Sequence, residues 1–203
     1  MKRLWIALAK LFGWHFEMPD DATLERLRHC VIIMAPHTSI YDFLLGAAAI
    51  WEMNLNGRFF IKKEFFKFPI KGFLRKCGAL PIDRGNRGNH IVDSAVAALR
   101  ENREMTIIIT PEGTRKPVRR FKRGFYEIAL QADVPIALTY INFKTRRMGV
   151  GPIMTPTGDF NSDMRKILAY YGDAHPRNQS GWDYAKLKTT YMSENSPVTK
   201  QDK

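Results

Sequence analysis

What this chain lacks narrows it first. Among 203 residues there are only 2 cysteines, Cys30 inside an apolar run and Cys77 before Gly78, with no C-x-x-C pair. Neither a disulfide framework nor a zinc site fits that usage, so a reducing cytoplasmic setting without a structural metal is expected. Acidic residues are scarce as well. The 20 Asp and Glu stand against 32 Lys and Arg, a formal net charge of +12, so the expected partner is anionic: nucleic acid, a membrane surface or a phosphorylated small molecule. No apolar run approaches the roughly 20 residues that a bilayer-spanning helix needs. Near the start, Leu4-Trp5-Ile6-Ala7-Leu8-Ala9 is cut by Lys10, too short for the core of a secretion signal. Neither secretion nor a transmembrane helix is expected. Repeats and low-complexity segments are also missing, and at this length one domain with a real core is expected.

What is present has a clear order. On a helical wheel Leu4, Leu8, Leu11 and Phe12 share a face with Trp5, while Lys2, Arg3 and Lys10 gather opposite. That pattern suits an amphipathic helix lying in a bilayer interface or packed on a domain, and Trp5 and Trp14 favour the membrane. From Leu24 onward short apolar runs alternate with amphipathic stretches, which predicts an α/β fold: a mixed, largely parallel central sheet with flanking helices. Strands are expected over residues 31–35, 58–62, 79–82, 105–110 and 136–141, several apolar throughout, as strands covered on both faces are. Helices are expected over 42–53, 65–75, 88–102 and 123–131, the second interrupted by Pro69 and Gly72. A late hairpin around 146–155 and a helix over 160–171, capped by Asp159, follow. The chain then divides into an N-terminal interfacial helix (1–20), the main domain (21–172) and a polar, partly disordered C-terminal extension (173–203).

Chemistry-bearing residues fall where strands end, the place at which open α/β sheets gather ligand groups. His37 and Asp42 lie five positions apart, directly after the apolar run from Cys30 to Met34. A neutral imidazole beside a carboxylate can take a proton from a hydroxyl at neutral pH. Spacing alone is weak, since His15 and Asp20 repeat it, but no strand precedes His15. After the strand at 105–110 comes Pro111-Glu112-Gly113-Thr114-Arg115, a glycine turn that sets a hydroxyl and a guanidinium together, as an oxyanion requires. Lys116, Arg119, Arg120, Lys122 and Arg123 follow with no acid among them. A third strand delivers Arg84 to a glycine turn in Gly78-Ala79-Leu80-Pro81-Ile82-Asp83-Arg84-Gly85, where it can serve as a second arm around an anion. Between residues 58 and 84, lysines and arginines interleave with phenylalanines, a surface suited to anionic headgroups.

These three motifs in this order, followed by Val134-Pro135-Ile136-Ala137-Leu138-Thr139, resemble the glycerolipid acyltransferase family, the lysophosphatidic-acid-acyltransferase-like group, over roughly residues 30–140. The resemblance implies an O-acyltransferase. It makes His37 the general base that deprotonates a lysolipid hydroxyl for attack on an acyl thioester, and Asp42 the residue that holds the imidazole. Arg84, Glu112, Gly113, Thr114 and Arg115 match the family's acceptor-binding motifs, and Lys62 is a further phosphate contact. No cofactor is implied beyond the co-substrate, acyl-CoA or acyl carrier protein. The acceptor is a lysophospholipid such as 1-acyl-sn-glycerol-3-phosphate, or another lysolipid such as an aminolipid. The expected location is cytoplasmic, peripheral on the inner face of the cytoplasmic membrane, held by the interfacial helix and the basic patch. A different class, a non-enzymatic basic binder of membranes or nucleic acid, accounts for the charge but leaves His37 and Glu112 unexplained. No nucleic-acid partner is expected.

Overall fold

A computed structural model describes residues 2–82 and 89–192. It begins with α1 (Lys2–Leu11), a short strand β1 (His15–Glu17) and α2 (Asp21–Leu27), whose first turn is capped by the Asp20 side chain accepting from Thr23 N. There follow β2 (Val31–Met34), α3 (Ile40–Glu52), β3 (Gly57–Lys62), α4 (Ile70–Lys76), β4 (Ala79–Ile82), α5 (Asn89–Glu101), β5 (Thr106–Ile109) and α6 (Gly124–Ala132). Then come β6 (Ile136–Asn142), β7 (Arg147–Met154), α7 (Phe160–Tyr170) and α8 (Tyr184–Met192).

Among the described residues seven strands form one sheet, in the order β1-β7-β6-β2-β5-β3-β4. Five of them, β6, β2, β5, β3 and β4, run parallel; β7 is antiparallel to β6, and β1 runs with β7. The expected mixed, largely parallel sheet is therefore what forms. Its central strand shows why periodicity vanishes from the sequence. Val31 and Ile33 point into the core made with α5, α6, α7 and α8, while Ile32 and Met34 point to the other face, into the cores that α3 builds with α2 and α1. Both faces are covered, and each such side chain stabilises the fold by about 2 kcal/mol when fully buried.

Departures from expectation sit at the ends. The N-terminal segment holds a strand as well as a helix: α1 stops at Leu11, and β1 pairs in parallel with β7, His15 opposite Arg147. Three residues are too few to display an alternation. The late hairpin is built from β6 and β7, turning through residues 143–146, where Asn142 Oδ1 accepts from Lys144 N and Thr145 N at 3.0 Å each. As Pro69 suggests, no continuous helix covers 65–75; a short 3-10 turn at Lys63–Phe65 precedes α4, which starts after Pro69 and runs through Gly72. Past Gly172 the chain makes α8, whose Leu187 and Tyr191 are buried in the main core. Two apolar residues four apart stand out little in a polar stretch. The frayed end expected over 193–203 lies outside the described residues, and no described helix is long and apolar enough to cross a membrane.

Candidate active site

β2 and β5 are neighbours in register, Ile33 opposite Ile109. Both end at the same sheet edge, so the loops that leave them bring residues 37 and 112 together although 75 positions separate them. Glu112 is 4% exposed, and its Oε1 accepts the backbone N–H of His37 at 2.8 Å. Oε2 is buried and has no hydrogen-bond partner among the described residues. Loss of solvation therefore pushes the Glu112 carboxyl up to about 7, against the pull of the His37 N–H.

On the other side of the same loop, Ser39 caps α3 with extended backbone, φ −148° and ψ 167°, and Asp42 is the third helical residue. Asp42 is fully buried. Its Oδ2 accepts from Thr38 N and Ser39 N at 2.7 Å each, and its Oδ1 accepts from the Ser39 hydroxyl at 2.9 Å. Three donors and the positive end of the helix fix that carboxylate in place. His37 Nδ1 lies 3.3 Å from Asp42 Oδ2, within ion-pair range but out of line for a hydrogen bond. Such contacts are commonly loose before substrate binds. Nε2 takes no partner among the described residues, which leaves it open to an incoming hydroxyl. The arrangement can remove a proton and stabilise the imidazolium that results.

Glu112, grouped in sequence with the acceptor-binding residues, is buried and turned toward the His37 backbone. Its titration gives a test. An unfolded glutamate titrates near 4.3, whereas Glu112 keeps its proton to about 7 in the fold, so the native state binds the extra proton between those values. Stability from this group is complete below about pH 4.3 and is lost as pH rises through 7, by roughly 4 kcal/mol at most. Glu112→Gln removes the titration. Urea unfolding across pH 4 to 8 is expected to show wild type losing stability relative to the variant by that order; a pH-independent difference would refute it.

The remaining predicted residues divide. Gly113 has φ +63°, and a Cβ there would stand 2.9 Å from Lys122 Cε, so glycine is what lets the lysine lie against the turn. Thr114 and Arg115 are exposed on that turn, and Thr114 Oγ1 accepts from Lys116 N at 3.3 Å. Lys62 ends β3, two strands from β2 at the same sheet edge. Arg84 lies outside the described residues. Residues that the sequence did not single out also join the site. Tyr171 is buried, and its hydroxyl lies 3.1 Å from Ile33 O and 3.0 Å from Thr139 O, tying α7 to β2 and β6 just below the loop that carries His37. Asn178 N donates to Thr38 Oγ1 at 3.2 Å. Only contacts across long sequence separations reveal these two.

Comparison with known proteins bears on the family and the fold. A family model described as Acyltransferase matches residues 18–141. The chain is 30% identical over 142 residues to 1-acyl-sn-glycerol-3-phosphate acyltransferase beta of Homo sapiens, covering 66% of this chain and 49% of that protein. It is 34% identical over 112 residues to a 1-acyl-sn-glycerol-3-phosphate acyltransferase of Cocos nucifera, covering 52% of this chain and 35% of that protein. The chain spans about half the length, or less, of these curated relatives. Among solved structures, the 1-acyl-sn-glycerophosphate acyltransferase PlsC of Thermotoga maritima shares the fold with a TM-score of 0.59 at 18% identity, covering 83% of this chain and 74% of that one.

Proposed function

The chain belongs to the acyltransferase family, and on that footing we propose that it moves a fatty acyl chain from acyl-CoA or acyl carrier protein to the hydroxyl of a lysophospholipid. The acceptor that fits best is 1-acyl-sn-glycerol-3-phosphate, the molecule named in its relatives. The observation that carries the proposal is the His37 imidazole with Nδ1 3.3 Å from the buried Asp42 and Nε2 left open. His37 Nε2 takes the acceptor's hydroxyl proton as the oxygen attacks the thioester carbonyl. The tetrahedral intermediate then expels the thiolate, which receives that proton back from the imidazolium. Asp42 stabilises the imidazolium in between, and Arg115, with Arg84, holds the acceptor phosphate.

Chemistry of this kind needs a lipid surface, and α1 and α4 supply a face suited to one. Their Trp5 and Phe73 rings meet edge to face at 6.4 Å. Around that join Leu4, Leu8, Leu11, Phe12, Phe65 and Ile70 are exposed, Phe68 to 96%. Lys63, Lys67, Lys71 and Arg75 are exposed among the aromatics. Apolar side chains entering the interface while cations meet anionic headgroups is the physics of peripheral binding, consistent with the inner face of the cytoplasmic membrane. The purified protein, given acyl-CoA or acyl carrier protein thioesters with a panel of lysolipids, is expected to release one thiol per ester formed, fastest with lysophosphatidate. Thiol release that no lysolipid stimulates would overturn the reading.

A further inference from the structure

Residues 175–182 join α7 to α8 and lie outside the 18–141 span that matches the family. They fasten onto the catalytic loop. His175 O accepts from Phe143 N at 2.9 Å, and Asn178 N reaches Thr38. Gly181 sits so close that a Cβ there would stand 3.0 Å from both the Arg115 carbonyl oxygen and Thr38 Cγ2. One segment therefore touches the residue that follows His37 and the residue that closes the Glu112 turn. Arg177, exposed on this segment, lays its guanidinium over the ring of Tyr41, 4.0 Å from the centroid. Tyr41 is in the first turn of α3, four residues past His37. Among the described residues Arg177 forms no ion pair or hydrogen bond, so none of them takes up its donors.

We infer that residues 175–182 complete the acceptor pocket, and that Arg177 is a specificity-determining residue that binds the anionic headgroup of the lysolipid. The inference rests on the acyl-transfer reading. An isolated surface arginine sweeps many rotamers; one stacked on an aromatic ring has its plane fixed, and the edge of that plane carries paired donors matched to two phosphate oxygens. Arg115 is exposed on the turn after β5, whose backbone Gly181 approaches, and Arg177 is exposed on the α7–α8 segment, so two guanidinium groups are carried by adjoining segments. A phosphomonoester is the ligand this charge favours.

Arg177→Ala is expected to raise KM for lysophosphatidate roughly tenfold, with kcat and the KM for acyl-CoA within twofold of wild type. Arg177→Lys is expected to recover little, since an ammonium does not stack or pair two oxygens in a plane. Lys188→Ala, an equal loss of charge on exposed α8, is expected to leave every constant unchanged, which separates a headgroup contact from general attraction to anionic lipid. Calorimetric binding of short-chain lysophosphatidate provides a readout without turnover. Wild type that binds it but transfers no acyl group would defeat the acyl-transfer reading alone. An unchanged affinity and KM in Arg177→Ala, or wild type that does not bind, would overturn the role of Arg177.

Discussion

His37→Ala is expected to lower kcat for acyl transfer by roughly 10²–10⁴-fold, the usual loss when a positioned general base is removed. The fold should not suffer. The His37 side chain is already 17% exposed, and what ties this residue into the structure is its backbone N–H on Glu112, which alanine keeps. Unfolding free energy is therefore expected to stay within about 1 kcal/mol of wild type, with KM for the thioester unchanged. Thiol release under saturating substrates, alongside a urea titration, checks both halves. Turnover within tenfold of wild type would remove His37 from the role of base.

Asp42 is expected to show a double loss. Asp42→Ala leaves the N–H groups of Thr38 and Ser39 and the Ser39 hydroxyl without their acceptor at a buried helix start. Unpaired buried donors cost about 1–3 kcal/mol each before water or relaxation offsets them, so a net loss of about 3 kcal/mol is expected, with kcat down by 10²–10⁴-fold. Asp42→Asn separates the two duties. Its single carbonyl oxygen can still accept at the cap, but it carries no charge to stabilise the imidazolium. Stability is expected to fall by about 1 kcal/mol while kcat still drops by at least 10²-fold. A variant that is destabilised yet keeps wild-type kcat would make Asp42 a helix cap and nothing more.

Much of this architecture was legible in the residues. All-apolar runs such as Val31 to Met34 and Ile107 to Ile109 announced covered strands, and both motifs that follow them do leave the same sheet edge. Asp42 in the first turn of a helix could be read from its spacing to the strand. Its three hydrogen-bond donors could not, because they depend on the backbone path through residues 38 and 39. Glu112 was visible only as a member of a motif; its turn away from solvent follows from the β2–β5 register, a long-range fact. The segment carrying Arg177 and Gly181 had no signal at all, since a polar loop becomes part of a site only through what it lies against. β1 was hidden for a simpler reason, its three-residue length.

The place of β2 in the sheet has a consequence in time. Its hydrogen-bonding neighbours, β5 and β6, are encoded far downstream, and β6 begins about a hundred residues later. On a ribosome adding 5–20 residues each second, the strand that ends beneath His37 emerges first and waits ~5–20 s for the second of its neighbours. Loop closure over such separations makes assembly slow, and the loop that carries His37 inherits the delay: its imidazole is translated early and acquires its surroundings late.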